Sequence, residues 1–115
     1  MKKQYRIKKQ RDFQFVFKKG RSFANRQFVV YVKDNKEVSH FRLGISVSKK
    51  LGNAVTRNKI KRRIRNFFQT HKDELKSTEY VVIARQPVPN MEYKEIQKSL
   101  LHVLKIAKCI NNGGN

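Results

Sequence analysis

Hydrophobic and polar positions change period several times along the chain, and each change marks an expected element. Phe13, Val16 and Phe17 recur at helical spacing between Arg11 and Lys19, predicting a short helix stopped by Gly20. Residues 27–33 are β-branched and aromatic and read as a strand, with Phe28, Val30 and Val32 on one face and Val29 and Tyr31 on the other. A further short strand is expected around residues 22–24. After a turn at Asp34-Asn35-Lys36, a strand from His40 to Ser48 places Leu43, Ile45 and Val47 on one face. Arg42, Gly44, Ser46 and Ser48 lie on its other face.

Helical spacing returns with Ile60, Ile64, Phe67, Phe68 and Leu75. It predicts a long helix capped by Asn53 or Thr56 and running to about residue 72 or 76, with His71 inside its apolar stripe. Residues 79–85 are largely apolar, as a central strand is. Pro87 and Pro89 break the chain. Asn90 is then expected to cap a final helix that buries Tyr93, Ile96, Leu100, Val103, Leu104 and Ala107. Residues 1–10 read as a loose basic N-terminus and 111–115 as a frayed polar tail. The order predicts an α+β fold, one domain over residues 1–115, with a single sheet packed by helices.

Charge adds a second pattern on top of the first. Lys and Arg number 28 against 8 acids, a formal net charge of +20. Such a chain repels itself when compact and attracts polyanions. The excess concentrates in the long helix, where six of the nine residues from Arg57 to Arg65 are basic and none is acidic. Asn58, Lys61, Arg62, Arg65 and Gln69 share a face beside the apolar stripe, with Arg57 at its start. A solvated basic face usually carries acids at i,i+4 that pair with the bases; here like charges repel, and an anionic partner relieves them. Guanidinium forks match phosphate oxygens in pairs, and an asparagine amide reaches a sugar or base edge. A nucleic-acid interface is the expectation.

The remaining composition narrows the class. The single Cys109 excludes an internal disulfide and a cysteine-based zinc site, fits a reducing cytoplasm, and is expected to be a partly buried bystander. The N-terminus lacks an apolar stretch, so no signal peptide is expected, and no run is long enough for a membrane span. The acids form no cluster of the kind a two-metal nuclease requires. His40, His71 and His102 are scattered, Ser46 and Ser48 have no evident base, and Gly52 stands alone rather than in a phosphate loop. No catalytic residue and no metal ligand is expected in this chain. Tyr31 points to the face that carries Gly44 and Ser46, too polar to be wholly buried. With Phe13 and Phe17 it suggests an aromatic groove flanked by cations, the arrangement that holds single-stranded RNA by stacking and backbone charge.

The stretch Gly44-Ile-Ser-Val-Ser-Lys-Lys-Leu-Gly-Asn-Ala-Val-Thr-Arg-Asn-Lys-Ile-Lys-Arg-Arg-Ile-Arg resembles the bacterial ribonuclease P protein component, whose RNR motif occupies this helix. The similarity extends to Asp12-Phe13 with Phe17, to Ala24-Asn25-Arg26-Gln27-Phe28-Val29 and to Val82-Ile83-Ala84-Arg85. The resemblance implies an α-β-β-β-α-β-α order with one mixed sheet, similar to a domain of a small-subunit ribosomal protein. It also implies a left-handed crossover at the RNR helix, against the usual preference. It further implies a subunit that assists a catalytic RNA in removing the 5′ leader of precursor tRNA, with Mg²⁺ held by the RNA. Phe13, Phe17 and Tyr31 match the leader-binding cleft. Arg57, Asn58, Lys61, Arg62 and Arg65 match the helix that faces the catalytic RNA. Lys49 and Lys50, in the same motif, are expected to add basic contacts. A cytoplasmic protein, monomeric within its ribonucleoprotein, is expected. The rival readings are a structural ribosomal or assembly protein, a stand-alone nuclease and a DNA-binding helix-turn-helix. The first predicts no preference for precursor over mature tRNA, the second lacks its acids, and the third does not place its basic helix between strands.

Overall fold

In the computed structural model, which describes residues 1–110, the chain runs α1 (Gln10–Lys19), β1 (Arg21–Ala24), β2 (Phe28–Lys33), β3 (Arg42–Ser46), α2 (Ala54–Thr70), β4 (Glu79–Ala84) and α3 (Tyr93–Ile106). The four strands form one mixed sheet in the order β1-β2-β4-β3. β1 pairs antiparallel with β2, and β2 with β4. β3 lies parallel to β4, so α2 is the crossover of a β3–α2–β4 unit. β4, the most apolar strand, is therefore central, with neighbours on both sides.

Period 2 sets the faces. Phe28, Val30 and Val32 are fully buried while Val29, Tyr31 and Lys33 between them stay half-buried. The first set joins Leu43, Tyr80 and Val82 beneath α2 and α3, in a core that includes Ile60, Ile64, Phe67 and Phe68. On the opposite face α1 crosses the sheet, and Val16 packs with Ile7 and Val81 in a smaller cluster. The sheet thus has two helices on one side and one on the other.

Several boundaries differ from expectation for local reasons. β3 is shorter than 40–48, because the Ser48 hydroxyl accepts from the Lys50 amide at 3.1 Å and turns the chain into a 3-10 turn at Lys49–Leu51. Asn53, not Thr56, caps α2, its Oδ1 accepting from the Thr56 amide at 2.9 Å. α2 ends at Thr70, so Leu75 enters the core from beyond the helix, bridged to Ile110. α3 is capped by Glu92 in a reciprocal box with Glu95, whereas Asn90 closes a 3-10 turn that follows Pro87. Tyr93, at the first position of α3, is half-buried and turns towards α2 rather than the core.

The N-terminal segment also departs from a loose basic strand. Lys3–Tyr5 forms a 3-10 turn, Arg6 bridges in parallel to Leu43, and the Ile7 amide donates to the Leu43 carbonyl at 2.9 Å. Ile7 is buried, and the Tyr5 ring lies 4.4 Å from His40 and 4.9 Å from Phe41, centroid to centroid. Two apolar anchors among the cations hold residues that composition alone makes soluble. The polar tail at 111–115 lies outside the described residues.

Candidate nucleic-acid interface

Ile60, Ile64, Phe67 and Phe68 turn one stripe of α2 into the core, which sorts its basic residues into three directions. Arg57, Lys61 and Arg65 are half-buried along the edge facing β3. Asn58 and Arg62 are exposed at the crest, with half-buried Gln69 beside them. Arg63 faces α3: its Nη1 donates to the Met91 carbonyl at 3.3 Å and its guanidinium stands 5.9 Å from the Tyr93 ring centroid. The Asn66 amide donates to the Tyr93 hydroxyl. Arg57 is positioned from below, its Nε donating to the Gly52 carbonyl at 3.2 Å. Gly52 has φ of 150°, and a Cβ there would come within 2.9 Å of the Thr56 side chain, so only glycine lets the loop enter the helix this way.

None of these cations has an acidic partner among the described residues. The ion pairs formed there are Arg42–Glu79 at 2.8 Å, His71–Glu74 at 3.0 Å and Lys76–Asp34 at 3.0 Å, all outside α2. Burial, and secondarily the charge of Arg6, lower the pKa of the Arg65 guanidinium. Lys49 and Lys50 are exposed on the turn that leads into the helix, near its start but away from the Arg65 end. The expected α2 face is therefore assembled, with Arg57 partly engaged by its own loop.

The three expected aromatics share the opposite face of the sheet, where each is half-buried. Phe17 meets Tyr31 edge to face at 4.9 Å between centroids. Phe13 lies over Gly44, at the β3 end of α1, where an added Cβ would stand 2.7 Å from two of its ring carbons. Gly44 is consequently buried beneath Phe13 and does not line an open polar face; Ser46 remains exposed. The aromatics thus fill part of the small cluster around Val16 and present their remaining surface beside it.

Two features escape sequence reasoning. Phe15 is 48% exposed on the outer side of α1, with the Lys33 ammonium 4.7 Å from its ring centroid. Arg6 and Lys8 are carried to the end of the aromatic face, where a groove of about 250 Å³ is lined by both of them with Phe13, Lys61 and Arg65. The only signal for the second was the alternation of Tyr5 and Ile7 around Arg6.

Among the described residues no group of three or more His, Cys, Asp and Glu could hold a metal ion. Glu79 is buried against Arg42, and the His71 ring lies 4.4 Å from Phe67 with Nδ1 3.0 Å from Glu74. Burial raises the pKa of the Cys109 thiol, which leaves little thiolate at neutral pH. Cys109 is fully rather than partly buried. No helix among the described residues is long and apolar enough to cross a membrane.

A mixed sheet with one cationic helix free of acids on one side and cation-flanked aromatics on the other defines a single-domain RNA-binding protein. The family model described as Ribonuclease P matches residues 1–108. The ribonuclease P protein component of Staphylococcus aureus strain Mu3 is 64% identical over 111 residues, covering 96% of each chain. A structure of the S. aureus RNase P protein, also 64% identical, superposes with a TM-score of 0.89 over 93% of this chain and 98% of that one. The Thermotoga maritima RNase P protein in complex with 1-(4-fluorophenyl)-2-thiourea is 36% identical. It superposes with a TM-score of 0.80 over 86% of this chain and 96% of the other. The chain belongs to the ribonuclease P protein family and is the protein component of a bacterial tRNA-processing ribonuclease.

Proposed function

We infer that this subunit partners the ribonuclease P RNA through the basic face of α2 and holds the single-stranded 5′ leader of precursor tRNA along its aromatic face, leaving the chemistry to the RNA. The observation that carries this reading is the unpaired charge of α2: six cations in nine residues without an acidic partner among the described residues. An external polyanion relieves their mutual repulsion. Asn58, Lys61, Arg62 and Arg65 then contact the catalytic RNA, with Arg57 at the helix start and Lys49 and Lys50 alongside. Phe13, Phe17 and Tyr31 offer half-buried rings for bases, and a stacked base contributes on the order of 1–3 kcal/mol. A chain of +20 also screens two RNAs from each other and so lowers the Mg²⁺ that the RNA needs. Only the precursor has a leader, so the aromatic face favours substrate over product.

The test is cleavage of a 5′-extended precursor tRNA at low Mg²⁺ by protein alone, ribonuclease P RNA alone and the mixture. Efficient cleavage is expected in the mixture only. Cleavage by the protein alone refutes an RNA-borne active site, and no effect of the protein in the mixture favours a structural RNA-binding role. Within the mixture, Phe17→Ala with Tyr31→Ala should weaken binding of precursor and leave that of mature tRNA unchanged. Equal losses for both would disconnect these rings from the leader.

A further inference from the structure

The N-terminal segment is fixed where nothing in the fold explains its charge. Ile7 and the backbone bridge from Arg6 to Leu43 anchor it along β3, an edge strand of the sheet. This delivers Arg6 and Lys8 to the same groove that Lys61 and Arg65 reach from α2 and Phe13 reaches from α1. The groove holds about 250 Å³, room for several waters. Four cations surround it, no acid lines it, and none of the four takes part in an ion pair among the described residues. Its floor is apolar, formed by Ile7, Leu43 and Ile45, which strengthens attraction to an anion at the rim.

We propose that Arg6, Lys8, Lys61 and Arg65 form a clamp for one RNA phosphodiester at the junction between the aromatic face and the basic helix. Two guanidiniums present forked donors to the phosphate oxygens and two ammoniums add charge. A phosphate seated there has Phe13 beside it, so an adjacent nucleotide lies against that ring. The half-buried Arg65 already carries the cost of the neighbouring Arg6 charge, and the phosphate removes that cost. The strand that supplies the phosphate is the leader or the catalytic RNA. Assigning it to the leader rests on the function proposed above, whereas affinity for a phosphate does not.

Two measurements test the clamp. In the free protein, arginine Nε–Hε resonances are followed during titration with sodium phosphate and, separately, sodium chloride at equal ionic strength. Arg6 and Arg65 should shift together on a saturating curve with phosphate, while exposed Arg26 follows ionic strength alone. In Arg6→Gln the Arg65 half-saturation point should rise about tenfold, the effect of removing one charge-assisted hydrogen bond. If Arg6, Arg65 and Arg26 drift together in both salts, there is no clamp. In the reconstituted ribonucleoprotein, Arg6→Gln with Lys8→Gln should weaken precursor binding about tenfold or more. Leaderless tRNA binding and RNA assembly unchanged would assign the phosphate to the leader. Weakened assembly with the precursor preference intact would assign it to the catalytic RNA. If neither changes, the clamp is refuted. If the unaltered protein shows no precursor preference at all, the leader reading fails, and the phosphate titration still decides the clamp.

Discussion

Replacing Gly44 with alanine tests whether Phe13 is held where the leader reading needs it. Gly44 lies in β3 outside the positive-φ region, so its backbone accepts alanine. Space does not: the new Cβ would stand 2.7 Å from two Phe13 ring carbons and 3.3 Å from the Ile7 Cβ. Carbon atoms pack at about 3.5–4.0 Å, so the ring must retreat by roughly 1 Å. α1 cannot simply follow, because Val16 on the same helix is 1% exposed. Overpacking of this kind costs about 1–3 kcal/mol. In a Phe13→Ala background the ring is gone, and only the Ile7 Cβ at 3.3 Å has to give by a few tenths of an ångström. There the same change should be neutral or stabilising by about 0.4–1 kcal/mol, since alanine restricts the unfolded chain. Urea denaturation of the wild type, both single variants and the double variant gives the coupling energy directly, provided the slopes agree. A coupling of about 1–3 kcal/mol is expected, accompanied in Gly44→Ala by weaker binding of a leader oligonucleotide. A destabilisation below about 0.5 kcal/mol for Gly44→Ala, or the same destabilisation in both backgrounds, would refute the packing of Phe13 on Gly44 and the placement of the ring built on it.

Two further outcomes follow from the same geometry. Arg62→Gln with Arg65→Gln should make the dependence of log K on log salt for RNA binding shallower by about 0.7–0.9 for each phosphate that is no longer neutralised; an unchanged slope would remove both from the interface. Tyr80 is fully buried, its hydroxyl donating to the Lys76 carbonyl at 2.7 Å, and burial first of all raises its phenol far above the ordinary value. The folded protein keeps this proton where the unfolded chain, with a phenol near 10.0, releases it. Stability is therefore fully present below that pH and declines above it, by up to about 1.4 kcal/mol per pH unit from this group. Denaturation midpoints between about pH 9 and about pH 11 should fall less steeply in Tyr80→Phe than in the wild type; parallel curves would mean that Tyr80 ionises in the folded protein.

Residues close in sequence settled most of the elements. Period 2 in β2 and the apolar run of β4 were legible because a strand's faces follow from alternation, whatever it packs against. The α2 stripe and the cation-rich face beside it were legible for the same reason at helical spacing. The family resemblance came chiefly from an unbroken motif that runs from β3 through the turn into α2, with shorter matches in α1, around β2 and at the end of β4. Boundaries were less legible, since Asn53 rather than Thr56, and Glu92 rather than Asn90, win their caps through hydrogen bonds that several polar neighbours could equally have offered.

What the sequence by itself determined is thus an α+β domain with one polyanion-seeking helix, a property of local period and charge. Only tertiary structure decided what that helix faces. β4 lies between β2 and β3, with α2 and α3 covering one side of the sheet and α1 the other. Gly44 became the floor under Phe13 because α1, packed across β2 and β4, extends that ring over the neighbouring β3, which joins residues far apart in the chain. Arg6 and Lys8 belong by composition to a loose basic N-terminus, and it is the burial of Ile7 between them that brings both to Arg65. Charge pattern is local and can be read along a chain, but convergence of charges on one groove depends on long-range packing that no local period encodes.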